Sequence, residues 1–258
     1  MKPLISFPFD DRPMVVAHRG SSGLAPENTM AAIRRGVEAG ADMVEIDVQS
    51  TADNQVIVFH DSVLGRTTNG SGRVDRWTLD SIQKLDAGSW KGAEFTGERV
   101  PLLREAIDYL LGRAYVNIEL KHREDDPSDR LLRRVLEEIA GAGMEGYTLL
   151  SSFDHRLLIK ALAHNPAIPT AVILHPDDRG LPSERAMSVG ARAVVLSRRQ
   201  LTRRVSEDAR SARIPIGVYT VNDAQDVARA IDYGVSAIVT NHPEIVMAAV
   251  TGRIHDES

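Results

Sequence analysis

The chain has 258 residues, a formal net charge of −5 and no cysteine, with 43% hydrophobic and 26% charged residues. That length suits two average domains or one large α/β barrel, and the negative balance gives no electrostatic reason to expect nucleic acid or an anionic membrane as partner. The lack of cysteine excludes disulfide scaffolds and thiolate chemistry, so any metal must be held by oxygen or imidazole.

No stretch approaches ~20 apolar residues, so neither a membrane span nor a stable membrane anchor is expected. The opening "MKPLISFPFDDRP" is interrupted by prolines and aspartates and makes a poor signal peptide. A cytoplasmic enzyme is the expectation.

In chain order, "MVVAH" (14–18) reads as a strand and "ENTMAAIRRGVEAG" (27–40) as a helix stopped by Gly40. "DMVEIDVQ" and "QVIVFHD" follow as two strands of one hairpin-like second unit. "PLLREAIDYLLG" is a helix, "AYVNIELK" a strand and "DRLLRRVLEEIAGAG" a helix. The pairs "YTLLSSF" and "DHRLLIKALAHN", "PTAVILH" and "SERAMSVG", and "AVVLS" and "RRVSEDARSAR" repeat the alternation. "PIGVYTVN" with "DAQDVARAIDYG", then "AIVTN" with "PEIVMAAV", complete eight strand-then-helix units. Eight such units close an α/β fold of the (β/α)8 TIM barrel type. No G-x-G-x-x-G follows the first strand, which disfavours a dinucleotide-binding sheet.

One segment breaks the rhythm. Residues 61–100 are rich in Gly, Ser, Thr and Asp, hold both tryptophans, Trp77 and Trp90, and separate a strand from the next helix. A structureless loop of that length is uncommon. We read one domain over 1–258, with 61–100 as a small inserted subdomain after the second strand unit. Trp77, Trp90 and Phe95 either wall the pocket or pack the insertion.

The polar residues fall at strand ends. His18-Arg19, Glu45 and Asp47, His60-Asp61, Glu119 and Lys121, Ser151-Ser152, Tyr219 and Asn222, and Thr240-Asn241 all lie at or near predicted C-terminal ends. In a barrel those ends share the face where active sites are built. Glu45 and Asp47 are two apart, so both point to one side of their strand while Val44, Ile46 and Val48 face the helices. Neighbouring carboxylates in a barrel repel unless a cation lies between them. With Glu119 they suggest a hard divalent ion, Mg²⁺ or Ca²⁺, the alternative being salt bridges to Lys121 or Arg19.

His18 and His60 suit proton transfer near neutral pH, and Arg19 and Lys121 suit a phosphate. His122 and His175 also stand near strand ends. Asn28 is a candidate helix N-cap, and Glu27 a candidate acceptor for a catalytic histidine or arginine.

The segments "AHRGSSGLAPENT", "VEIDV", "VIVFHD" followed by "RTTNGSG", "NIELK", "LLSSF" and "VYTVN" resemble the bacterial glycerophosphodiester phosphodiesterases, collinearly from about Val15 to Pro243. The resemblance implies a (β/α)8 barrel with an inserted subdomain. It implies one divalent cation and hydrolysis of a small glycerophosphodiester to glycerol 3-phosphate and an alcohol. It implies His18 and His60 as the acid/base pair, Glu45, Asp47 and Glu119 as metal ligands, and Arg19 and Lys121 as phosphate binders. Tyr219 stands where the family often has Trp, and is expected to offer substrate a flat face with an added hydroxyl. Asn241 stands where the family often has Asp. Two alternatives stay open: a lyase forming a cyclic phosphate, as in the sphingomyelinase-D-like toxins, and a non-catalytic barrel that binds phosphoesters. The toxins are disulfide-bonded, and this chain has no cysteine. The alcohol group, the choice of cation and the oligomeric state are not fixed by these motifs.

Overall fold

The computed structural model describes residues 1–4, 12–121 and 129–255. Eight parallel strands close into a barrel: β1 (Met14–His18), β2 (Met43–Ser50), β6 (Tyr115–Leu120), β7 (Thr148–Ser152), β8 (Thr170–Ile173), β9 (Ala193–Ser197), β10 (Ile216–Tyr219) and β11 (Ala237–Thr240). Closure comes from β1, which pairs with β11 on one side and with β2 on the other.

Around this ring lie α1 (Met30–Glu38), α3 (Leu103–Leu110), α4 (Arg130–Gly141), α5 (His155–His164), α6 (Pro182–Val189), α7 (Arg203–Ala212), α8 (Ala224–Asp232) and α9 (Pro243–His255). The period-two alternation sorts the strands' side chains. Val44, Ile46 and Val48 of β2 pack outward with Ile33 of α1, Ile107 of α3 and Val135 of α4. Met14, Val16, Met43, Tyr115 and Val239 point inward and meet Leu4, which fills the end of the barrel opposite the strands' C-termini. Each helix supplies a matching apolar stripe; in α4 it is Leu131, Leu132, Val135 and Ile139.

The second unit departs from a plain repeat. Strand β3 (Val56–Val58) is not a barrel strand; it runs antiparallel to β2, with Val48 opposite Val58 and Ser50 opposite Val56. Strand β2 therefore overshoots the barrel, turns, and comes back. Phe59 N–H donates to the Asp47 carbonyl at 2.9 Å, which sets His60 beside the metal-site candidates.

Residues 61–100 hold the ribbon β4 (Val63–Leu64) with β5 (Gly72–Arg73) and the short helix α2 (Leu79–Ile82). They share an apolar cluster of Ile57, Phe59, Leu64, Val74, Ile82, Ala87 and Val100, against which Trp77 packs. Trp90 is exposed, with the Lys91 ammonium 5.9 Å from its ring centroid.

The β1–α1 connection needs one glycine in particular. Gly20 has φ +80°, and a Cβ there would lie 2.3 Å from the Ala32 carbonyl carbon. Only glycine lets this loop lie flat on α1 and leave His18 and Arg19 uncovered. The helix cap is Thr29, not Asn28: Thr29 is extended and its side chain accepts from Ala32 N–H. Asn28 sits at φ 58°, a left-handed conformation that turns its side chain away from the helix.

Candidate active site

A cavity of about 230 Å³ opens at the C-terminal end of the barrel, lined by His18, Arg19, Glu45, His60, Asn117, Glu119, Lys121 and Tyr219, with Phe153, Ile173, Val195, Thr220 and Val239. Asp47 lies next to it and is fully buried. The expected acid/base, cation and substrate residues, His18, His60, Arg19, Lys121, Tyr219, Glu45, Asp47 and Glu119, are thus brought to one mouth. No residue of 61–100 lines this cavity, so Trp77, Trp90 and Phe95 do not wall it. His175 is exposed and pairs with Asp177 away from the cavity. His122 lies outside the described residues.

Glu45, Asp47 and Glu119 each present a carboxylate oxygen within 4.8 Å of the others, all buried. The register explains it: Asp47 is directly opposite Glu119 across the β2–β6 pair, and Glu45 is one inward position below. Glu45 Oε1 is buried with no hydrogen-bond partner among the described residues. An all-oxygen donor set with an unsatisfied buried carboxylate fits a hard divalent cation.

The charges follow from this crowding. Burial, with Asp47 and Glu119 as like charges, raises the Glu45 carboxyl well above the usual carboxylate range. Burial and Asp47 likewise raise Glu119. Burial works against ionising Asp47 too, but Lys121 and Arg19 outweigh it and hold Asp47 well below that range. The Lys121 ammonium lies 2.6 Å from Asp47 Oδ1 and also donates to Glu119 Oε1. Arg19 has φ 57°, its backbone N–H donates to Glu45 Oε2 at 2.9 Å, and its Nε lies 3.2 Å from Asp47 Oδ2.

The two imidazoles have different partners. His18 Nδ1 lies 2.7 Å from Asn241 Oδ1. An amide oxygen only accepts, so Nδ1 carries the proton and Nε2 is the free base, 3.9 Å from Glu45 Oε2. Burial, with the adjacent Arg19 guanidinium, pushes His18 down to about 4. His60 Nδ1 is 2.5 Å from the Asp61 carboxylate. Burial lowers His60 as well, against the opposing pull of Asp47 and Asp61.

A second layer fixes these groups. Asn28 bonds Asp47 at two points. Glu27 accepts from Arg19 Nη1 at 2.7 Å, so the partner expected for it is the arginine. Arg66 reaches in from the segment 61–100 to bond both Glu27 and Asp61. Tyr219 donates its hydroxyl to the Leu174 carbonyl at 3.2 Å, which holds the ring as part of the cavity wall. Asn222 accepts from Asn241 N–H at 2.9 Å and so supports the partner of His18. Sequence reading missed the roles of Asn28, Arg66 and Asn241. The one local signal was an Asn in a Gly- and Pro-rich turn, a residue that tolerates left-handed backbone.

Residues 18–245 match the model of the glycerophosphoryl diester phosphodiesterase family. A glycerophosphodiester phosphodiesterase of Caldanaerobacter subterraneus subsp. tengcongensis is 34% identical over 92% of this chain and 97% of that protein. One from Bacillus subtilis is 33% identical over 91% of this chain and 85% of that protein. Among solved structures, an Oleispira antarctica phosphodiesterase in complex with the product sn-glycerol-3-phosphate superposes with a TM-score of 0.86 at 30% identity, covering 93% of this chain and 97% of that one.

Proposed function

This chain belongs to the glycerophosphoryl diester phosphodiesterase family, and from that premise we propose a cation-dependent hydrolysis of glycerophosphodiesters to glycerol 3-phosphate and an alcohol, run by His18 and His60. The observation that carries this reading is the pairing of two imidazoles, one on an amide and one on a carboxylate, around one buried trio of carboxylates.

Glu45, Asp47 and Glu119 would hold the cation, Mg²⁺ or Ca²⁺, which when bound supplies Lewis-acid polarisation of a phosphate oxygen. Lys121 and Arg19 offset the charge that grows on the phosphoryl oxygens in the transition state. Glu27 holds Arg19 at Nη1 and Arg19 lines the cavity, which presents the guanidinium to a phosphate. His18, held neutral with Nε2 open, takes the proton of the attacking hydroxyl, from water or from the glycerol 2-hydroxyl. His60, whose imidazolium is stabilised by Asp61, gives a proton to the leaving alkoxide as the P–O bond breaks. One histidine gains the proton that the other loses, so the pair returns to its starting state through solvent. Tyr219 flanks the substrate with its flat face. We also propose that 61–100 is an inserted subdomain of a single domain spanning 1–258, on the strength of the apolar cluster in which Leu64, Val74, Ile82, Ala87 and Val100 pack with Ile57 of the preceding strand and Phe59 just after it.

The test is a coupled glycerol 3-phosphate assay over a panel of glycerophosphodiesters, run with Mg²⁺, with Ca²⁺ and with chelator. Phosphorus NMR of the first product distinguishes direct hydrolysis from a cyclic phosphate. Full turnover in chelator would contradict the cation site.

A further inference from the structure

The geometry points to Arg66 as the positioning residue that joins the two halves of this site, holding Asp61 against His60 and Glu27 against Arg19 at the same time. The inference rests on the reading of His60 and Arg19 given above.

Arg66 sits between β4 and β5 and reaches back to the mouth of the barrel. Its Nε donates to Asp61 Oδ2 at 2.6 Å and its Nη2 lies 3.1 Å from Asp61 Oδ1. On its other side Nη1 donates to Glu27 Oε2 at 2.9 Å and Nη2 to Glu27 Oε1 at 2.7 Å. Both forks are bidentate, which fixes the plane of each carboxylate as well as its position. Neither carboxylate ends there. Asp61 Oδ1 continues to His60 Nδ1, and Glu27 Oε1 continues to Arg19 Nη1. One guanidinium thus lies two bonds from a proton donor and two bonds from a phosphate grip.

Arg66 itself does not line the cavity, so it acts through its two acceptors. Without it, Asp61 is free to turn about χ1 and χ2, and His60 loses the hydrogen bond that aims its ring. Glu27, no longer shared between two guanidinium groups, would draw Arg19 toward itself and away from a bound phosphate. The two losses fall on different kinetic parameters. Misaim of His60 lowers kcat, because it acts only as the leaving group departs; withdrawal of Arg19 raises KM, because it holds phosphate in the ground state too. Lysine cannot replace it, since a single ammonium cannot present two parallel pairs of donors.

The experiment compares Arg66→Gln with Asp61→Asn, Glu27→Gln and the two double variants, in the metal-loaded enzyme. We expect Arg66→Gln to lower kcat and to raise KM, each by about tenfold, the lower end for a residue that orients catalytic groups. In the Asp61→Asn background it should change kcat by less than about twofold, and in the Glu27→Gln background KM by less than about twofold. Guanidinium ion should restore turnover to Arg66→Ala, and Arg66→Lys should stay impaired. Multiplicative losses in both double variants would overturn the proposal, since Arg66 would then act on substrate directly or through the fold as a whole. Circular dichroism and the thermal midpoint of each variant guard against unfolding; Arg66 is 47% exposed. His60→Ala, assayed in parallel, keeps the two readings apart: activity retained there refutes the role of His60, whereas only the double variants refute Arg66.

Discussion

Asn28 grips Asp47 at both ends of one amide: its Nδ2 donates to Asp47 Oδ2 at 2.8 Å, and its Oδ1 accepts the Asp47 backbone N–H at 3.2 Å. The left-handed backbone at Asn28 makes this reach possible, and it is a conformation that asparagine adopts more readily than most residues. The side chain therefore locks the carboxylate most strongly ionised in the site.

Replacing Asn28 separates strain from chemistry. Asn28→Gly keeps the backbone conformation and removes only the clamp, so it should weaken divalent-cation binding by about 10–100-fold with a small change in thermal midpoint. Asn28→Ala should add a loss of roughly 1–2 kcal/mol in stability from the left-handed backbone. Isothermal titration with Mg²⁺ and Ca²⁺ and thermal unfolding read the two effects independently. Equal cation affinity in Asn28→Gly and wild type would show that the clamp is idle.

His18→Ala and His60→Ala should each lower kcat by about 10²–10⁴-fold with the fold intact, as expected for a lost proton-transfer group. Circular dichroism confirms the fold, and the coupled assay reads turnover. Substantial activity left in both variants would refute the acid/base assignment.

His18 also has a stability signature. Its folded pKa is depressed, to about 4 from 6.5, so between those values the unfolded chain binds the extra proton. The neutral imidazole therefore contributes fully above about pH 6.5, and that contribution is lost as pH falls toward 4, on the order of 3 kcal/mol in all. Denaturant unfolding in chelator should show this acid-side loss in wild type and a flatter profile in His18→Gln. Identical profiles would contradict the burial of an uncharged His18.

Glu45 carries the opposite sign. Its folded pKa is raised, so in the absence of a cation its contribution is present below the unfolded carboxylate value of ~4.3 and is lost as pH rises through the folded one. A cation must displace that proton. The binding enthalpy measured near pH 6 should then vary with the ionisation enthalpy of the buffer in wild type and much less in Glu45→Gln. A buffer-independent enthalpy in the wild type would show that Glu45 is already ionised.

The barrel and the carboxylate trio were legible in the sequence because both rest on period. Alternation along "VEIDV" puts Glu45 and Asp47 on one side of β2, and the same alternation in "NIELK" brings Glu119 across from Asp47. The hairpin-like second unit was legible as well: His60 follows its antiparallel return strand beside β2. What escaped was set by the third dimension. Asn28 was expected as a helix cap, and a backbone angle moved that task to Thr29. Arg66 lies in a stretch with no periodicity, and its meaning comes from two carboxylates that precede it by 39 and 5 residues.

The bond from His18 to Asn241 joins groups 223 residues apart, across the seam where the first barrel strand meets the last. A chain emerging from the ribosome holds the three carboxylates and both imidazoles long before it holds Asn241. With His18 as the proposed base, the residue that orients it arrives only with the eighth strand, so turnover should appear only once the ring is closed.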